Sequence, residues 1–215
     1  MHDSPVFPRV APFVVFLAFT VLQGQFGEAS HYWLYLAKTI LGIWLVWSMR
    51  PVVAEMRWAF SWEAVAVGVA VCVMWVGIDG FYPKFGKAGA GWNPQAQFGA
   101  NSPLAWLFIA GRIFGSSVIV PPLEEVFYRS FLYRYIVKTD FQSVPLGAFH
   151  GLSFVVTACV FGFSHYQWLA GILCGFAYHW LVLRKNRLGD AMTAHAITNF
   201  LLGAWVVWKG AWNFW

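Results

Sequence analysis

Charge is what this sequence has least of. Of its 215 residues, 11% are Asp, Glu, Lys or Arg and 60% are hydrophobic. A soluble domain carries about 25% charged residues, so this chain cannot cover its surface with polar groups and needs lipid as its solvent. Cysteine is also scarce. Cys72, Cys159 and Cys174 all lie inside apolar runs, with no CxxC and no Cys/His metal spacing. They read as small packing residues and leave the redox compartment open. No cleavable signal is evident, because the first apolar run follows two prolines and lacks an n-region and a small-residue cleavage site. Internal repeats and low-complexity segments are absent, so one membrane domain accounts for residues 1–215. The net charge of +5 is spread over several short loops, which reads as a topology signal and not as a nucleic-acid footprint.

What is present in quantity is apolar run. At ~20 residues per span the length accommodates about seven transmembrane helices, and the expected fold is an all-α polytopic membrane bundle. The runs are Val10–Leu22, Tyr32–Met49, Trp62–Ile78, Leu104–Val120, Leu146–Phe163, Leu169–Leu183 and Gly189–Trp208. Between the third and fourth lies Asp79–Pro103, rich in Gly, Pro, Asn and Gln, which reads as a surface loop, either a lid or an ordinary connector. The fourth run ends at Pro121-Pro122, and a motif helix is expected over Leu123–Lys138. Proline suits the first turn of a helix and breaks one from within. The expectation is therefore a kinked or broken fourth element, with Glu124 and Glu125 in the first turn of its second half, where the helix dipole favours negative charge. Fourteen Trp and eight Tyr suit headgroup contact and core packing alike, and specify no function.

Positive charge gives the chain a sidedness. With the N-terminus in the cytoplasm, inner loops hold Arg9, Arg50, Arg57, Arg134, Lys138, Arg184, Lys185 and Arg187. Outer loops hold chiefly Lys84 and Lys87, with Lys209 at the C-terminal end. That bias predicts an N-terminus in the cytoplasm, and the location expected for such a chain is a bacterial inner membrane.

The chemistry-bearing residues sit around the proline pair. Charge at membrane depth is costly and needs a partner, a water-filled cavity or a task. Glu125 and Arg129 are four apart in the favourable order for a helical ion pair. Glu124 points about a third of a turn away, which leaves it free to titrate as a base while Arg129 holds Glu125 charged. The blander alternative is a structural salt bridge at a helix start. Phe161-x3-His165 then ends the fifth span, and His195-x3-Asn199 puts two polar groups on one face of the seventh. A lone membrane histidine is more often a helix–helix hydrogen-bond partner than a catalyst, but the three pairs in this order are a much more specific signal.

On these motifs the chain resembles the CPBP intramembrane proteases, also called the Abi or CAAX-protease family, over roughly its second half. The resemblance implies a catalytic chamber within the bilayer and peptide hydrolysis by a glutamate-activated water. It casts Glu124 as general base, His165 as the group that orients the water, and His195 and Asn199 as oxyanion donors. Glu125 and Arg129 become the supporting ion pair. The substrate expected is a peptide or protein, lipid-modified in the prenylated CAAX case, with membrane lipid as the surrounding partner and no nucleic acid. No cofactor is favoured. Zinc held by Glu124, His165 and His195 is the rival mechanism, weakened by the absence of an HExxH spacing and by the poor ligand Asn199. His31, His150 and His179 read as structural.

Two alternatives stand beside the protease: a non-catalytic scaffold or bacteriocin-immunity protein that binds a peptide, and a small proton-relay transporter. One geometric difficulty remains. His165 lies at the end of the fifth span and His195 about six residues into the seventh, so a full sixth span would set them toward opposite faces. The site closes only if the turn around His165 dips inward, or if the sixth helix is short or tilted.

Overall fold

Long apolar runs can satisfy their backbone in lipid only by coiling on themselves or closing a barrel, and the described residues contain helices and no strand. The computed structural model describes residues 4–23, 25–84, 92–100 and 102–215. Its helices are α1 (Phe7–Leu22), α2 (Ser30–Met49), α3 (Trp62–Gly77), the five-residue α4 (Pro94–Phe98), α5 (Pro103–Val137), α6 (Gly151–Phe163), α7 (Trp168–Lys185) and α8 (Gly189–Lys209). Each expected apolar run has a helical counterpart with ends within three residues, except that α5 continues far past Val120 and α6 begins only at Gly151. Two of them, Pro103–Val137 and Gly189–Lys209, are long and apolar enough to cross a bilayer, whereas α1, α3 and α6 are apolar but shorter. The outward surface suits lipid, with Trp47 70%, Trp62 78%, Leu152 74% and Trp208 75% exposed. Of the Asp79–Pro103 stretch, residues 85–91 and 101 lie outside the described residues. The remainder forms a 3-10 turn at Asp79–Phe81 and then α4.

Of the kink or break expected at the proline pair, the break is not there. α5 runs 35 residues without interruption through Pro121 and Pro122. What replaces the break is a widened, π-helical turn at Gly115–Ile119, followed by a second at Val126–Leu132. Inside an α-helix a proline ring clashes with the carbonyl four residues back, and a turn that bonds to the fifth residue back makes room for it. The glutamates therefore lie well inside a long helix, and the dipole argument for their charge does not apply.

Small residues set the close approaches that bring the site together. α6 and α7 cross at Ala158, Gly162, Gly171 and Gly175, where a Cβ on Gly171 would stand 2.8 Å from the Gly162 Cα. α3 and α8 meet at Gly68, where a Cβ would stand 2.7 Å from the Ala194 carbonyl oxygen, and Thr198 Oγ1 donates to the Gly68 carbonyl at 2.8 Å. At the end of the bundle where α2 gives way to α3, Arg9 grips Glu55 with two bonds of 2.8 and 2.9 Å, and Arg134 reaches the same carboxylate at 3.2 Å.

Candidate active site

The site begins with a carbonyl that α5 cannot satisfy. In the widened turn, the Val120 amide donates to the Gly115 carbonyl. The next bond in that pattern would run from residue 121 to Ser116, but Pro121 has no N–H to give. Asn199 of α8 supplies the missing donor, with Nδ2 2.8 Å from the Ser116 oxygen. The proline pair and the His-x3-Asn motif, distant in sequence, thus complete one another. This bond uses one of the two amide hydrogens of Asn199 and fixes the direction of the other.

One turn further along α5, Glu125 is fully buried and Arg129 is 1% exposed. Glu125 Oε1 accepts from Arg129 Nη1 at 3.3 Å and from His195 Nδ1 at 3.0 Å. Sequence reasoning gave this carboxylate only its arginine; the histidine is the addition. The guanidinium also lies 4.4 Å above the Phe161 ring and donates to the Gly175 carbonyl at 3.4 Å, which ties α5 to α6 and α7. Because a carboxylate only accepts, His195 carries a proton on Nδ1 and presents Nε2 to Glu124 Oε2, 3.9 Å away. That Glu124 oxygen has no hydrogen-bond partner among the described residues. Tyr178 stacks on the His195 ring at 5.1 Å and holds its plane.

His165 stands in the turn between α6 and α7. Its Nδ1 lies 2.7 Å from the Phe161 carbonyl oxygen, which can only accept, so Nδ1 bears the proton and Nε2 keeps its lone pair. Trp75 of α3 packs edge-on against the ring at 5.6 Å. α6 has 13 residues, or ~20 Å at 1.5 Å each, which is short of a ~30 Å hydrocarbon core. The turn that follows this short helix brings His165 to the cavity that His195 also lines. Phe161 connects the two histidines, its ring 4.7 Å from His165 and 6.1 Å from His195.

Glu124, His165, His195 and Asn199 all line one cavity of about 170 Å³. Glu125 and Arg129 do not line it and lie behind its wall. So all six candidates are gathered in one region, four facing the cavity and two supporting it. Sequence reasoning overlooked Tyr178, Ser116 and Arg112, which also line the cavity. Arg112 was detectable as an arginine inside an apolar run. Ser116 and Tyr178 carry no such signal. His179, buried against Tyr133 with ring centroids 3.9 Å apart, lines no wall of this cavity. Among the described residues no group of three or more His, Cys, Asp or Glu is arranged to hold an ion.

A helical membrane protein that gathers carboxylates and histidines around a buried cavity has the makings of a membrane hydrolase. Residues 98–201 match the family model for the type II CAAX prenyl endopeptidases, Rce1-like. This segment, which holds all six candidates, is thus similar to a family of endopeptidases, enzymes whose substrate is a peptide or protein. Neither the curated proteins nor the solved structures contain a match to the chain.

Proposed function

We propose that the protein is a polytopic intramembrane endopeptidase of about seven spans, N-terminus in the cytoplasm of a bacterial-type cell, that hydrolyses a peptide bond by a glutamate-activated water. The observation that carries this reading is the separation of Glu124 from Glu125. One carboxylate faces a cavity with an unpartnered oxygen, and its neighbour is consumed by Arg129 and His195.

In the proposed reaction a water binds between Glu124 and His165. Glu124 takes one of its protons as the water oxygen adds to the substrate carbonyl carbon. The His165 Nε2 lone pair accepts from the same water and aims it. His195, its Nδ1–H held by Glu125, enters the cycle with a proton also on Nε2, donates from it to the tetrahedral oxyanion and keeps both protons throughout. Asn199 donates its second amide hydrogen to that oxygen. Such preorganised donors each contribute ~3 kcal/mol when water is excluded. Collapse of the intermediate breaks the C–N bond, and protonated Glu124 returns its proton to the leaving amine. No metal takes part in this scheme.

A prenylated CAAX-like peptide is the substrate to try first, given the family. The test is cleavage of a farnesylated CAAX peptide by the full chain in detergent, with Glu124→Ala, His165→Ala and His195→Asn variants and a chelator titration alongside. We expect turnover by the wild-type chain alone, indifferent to chelator. Undiminished cleavage by all three variants would remove the mechanism, and loss of activity on chelation restored by zinc would replace it with a metal-assisted one. Saturable binding of the peptide without cleavage would favour a scaffold.

A further inference from the structure

A second cavity of about 560 Å³ lies beside the first, and the two share Arg112 and Trp215 as lining residues. Arg112 is framed by aromatic faces. Its guanidinium carbon lies 4.9 Å from the Tyr35 ring centroid, 4.7 Å from Trp92 and 5.3 Å from Trp215. Among the described residues its side chain makes no ion pair and no hydrogen bond. Ring faces attract a cation but accept none of the five N–H bonds directed from the guanidinium edge. Those bonds suit an anion, and a bidentate one best.

A second cation stands nearby. Lys38 of α2 is 5% exposed, and its Nζ donates to Thr20 Oγ1 and Gln23 Oε1, each at 3.0 Å. It too has no carboxylate partner among the described residues. Its Nζ lies 4.5 Å from the same Tyr35 ring that Arg112 overlies. Thr20 and Gln23 line the second cavity. Glu28, also on that lining, pairs with neither cation. Glu124 acts on Lys38 through its charge without contacting it, and a guanidinium at membrane depth with no carboxylate in contact is costly unless an anion arrives to meet it.

We infer that Arg112, backed by Lys38 across Tyr35, is a specificity-determining residue that receives a carboxylate of the peptide substrate where the two cavities meet. The inference rests on the endopeptidase reading. The carboxylate is either the C-terminal group or an acidic side chain, since both offer the same two oxygens. Position along α5 limits where it sits. Arg112 and Glu124 are 12 residues apart on one helix, ~18 Å at 1.5 Å per residue. An extended peptide covers ~3.3 Å per residue, so the carboxylate lies within about five residues of the bond that is cut.

The test uses full-length Glu124→Gln protein, so that binding is read without turnover. Three farnesylated CAAX-type peptides are compared: the free acid, its C-terminal amide, and the amide with one Glu near its end. We expect the acid to bind at least about tenfold tighter than the plain amide. Added Arg112→Gln should erase that preference, and Arg112→Lys, which keeps the charge but not the two-pronged geometry, should retain only part of it. Affinity regained by the Glu-bearing amide, and lost with Arg112→Gln, assigns the subsite to an acidic side chain. Equal binding of acid and plain amide with no gain from Glu, binding of none, or a preference that survives Arg112→Gln overturns the inference. A preserved Arg112-dependent preference in a chain whose wild type cleaves nothing would defeat the protease reading and leave the subsite standing. Thermal unfolding of each variant identifies one that has merely lost its fold.

Discussion

His195 Nδ1 stands 3.0 Å from Glu125 Oε1, and Arg129 Nη1 reaches that same oxygen at 3.3 Å. One fully buried carboxylate thereby fixes the tautomer of a cavity histidine and neutralises a buried arginine. Two adjacent glutamates should for that reason fail in different ways when they are replaced.

Glu125→Ala leaves Arg129 as an uncompensated buried charge and His195 without its acceptor. Breaking a buried pair by removing one partner costs ~3–5 kcal/mol. The expected result is a large fall in the thermal unfolding midpoint in detergent. Adding Arg129→Met should recover part of it, because the stranded cation goes too. If the double variant is no more stable than Glu125→Ala, the ion pair is not what the buried carboxylate supports.

Glu124→Gln should behave in the opposite way. The side chain is 18% exposed and its Oε2 accepts no hydrogen bond among the described residues. Its replacement by an isostere should change stability by no more than ~0.5 kcal/mol and lower turnover by ~10²–10⁴. Peptide affinity should be kept. A Glu124→Gln enzyme with wild-type turnover would show that the base lies elsewhere.

The helices were legible in the sequence because hydropathy alone decides them in lipid: α2, α3 and α8 start and stop within two residues of their apolar runs. The six candidates were legible because charged and polar groups stand out against so apolar a background. What periodicity could not reveal was the response of the backbone to Pro121 and Pro122. A proline pair reads as a break, and only a tertiary partner for the freed Ser116 carbonyl lets the helix continue. The link between His195 and Glu125 was hidden for a related reason, since the Glu-x3-Arg spacing already accounted for that carboxylate. Arg112 and Lys38 were visible as intramembrane cations, but their shared use of Tyr35 depends on how α2 packs against α5.

Asn199→Asp tests the account of the proline pair. The new side chain is nearly isosteric but has no N–H, so a carboxylate would face the Ser116 carbonyl that Asn199 now satisfies at 2.8 Å. Leaving that buried acceptor unpaired costs ~1–3 kcal/mol, and the oxyanion donor is lost at the same time. Both unfolding midpoint and turnover should fall. If Pro121→Ala, which restores a backbone donor, is introduced with it, part of the stability should return while turnover stays low. No recovery of stability would show that Ser116 does not depend on either residue.

The Glu55 cluster supplies a prediction about pH. Burial pushes this carboxyl up, but hydrogen bonds from Arg9 and Ser130 and the charge of Arg9 outweigh it, so the group is held below the ordinary glutamate value of 4.5. A folded-state value below the unfolded one stabilises the protein at pH above the unfolded value, and the gain is lost as pH falls through the folded value. Glu55→Gln should therefore lower the unfolding midpoint at neutral pH, where Arg9 and Arg134 lose their shared partner. On acidification below 4.5 the wild-type midpoint should approach that of the variant, because protonation removes from the native chain the charge that the substitution has already removed. Unfolding curves recorded on both proteins from neutral pH down to the acid range measure the gap directly. A gap of constant size across that range would mean that Glu55 contributes by shape and not by charge.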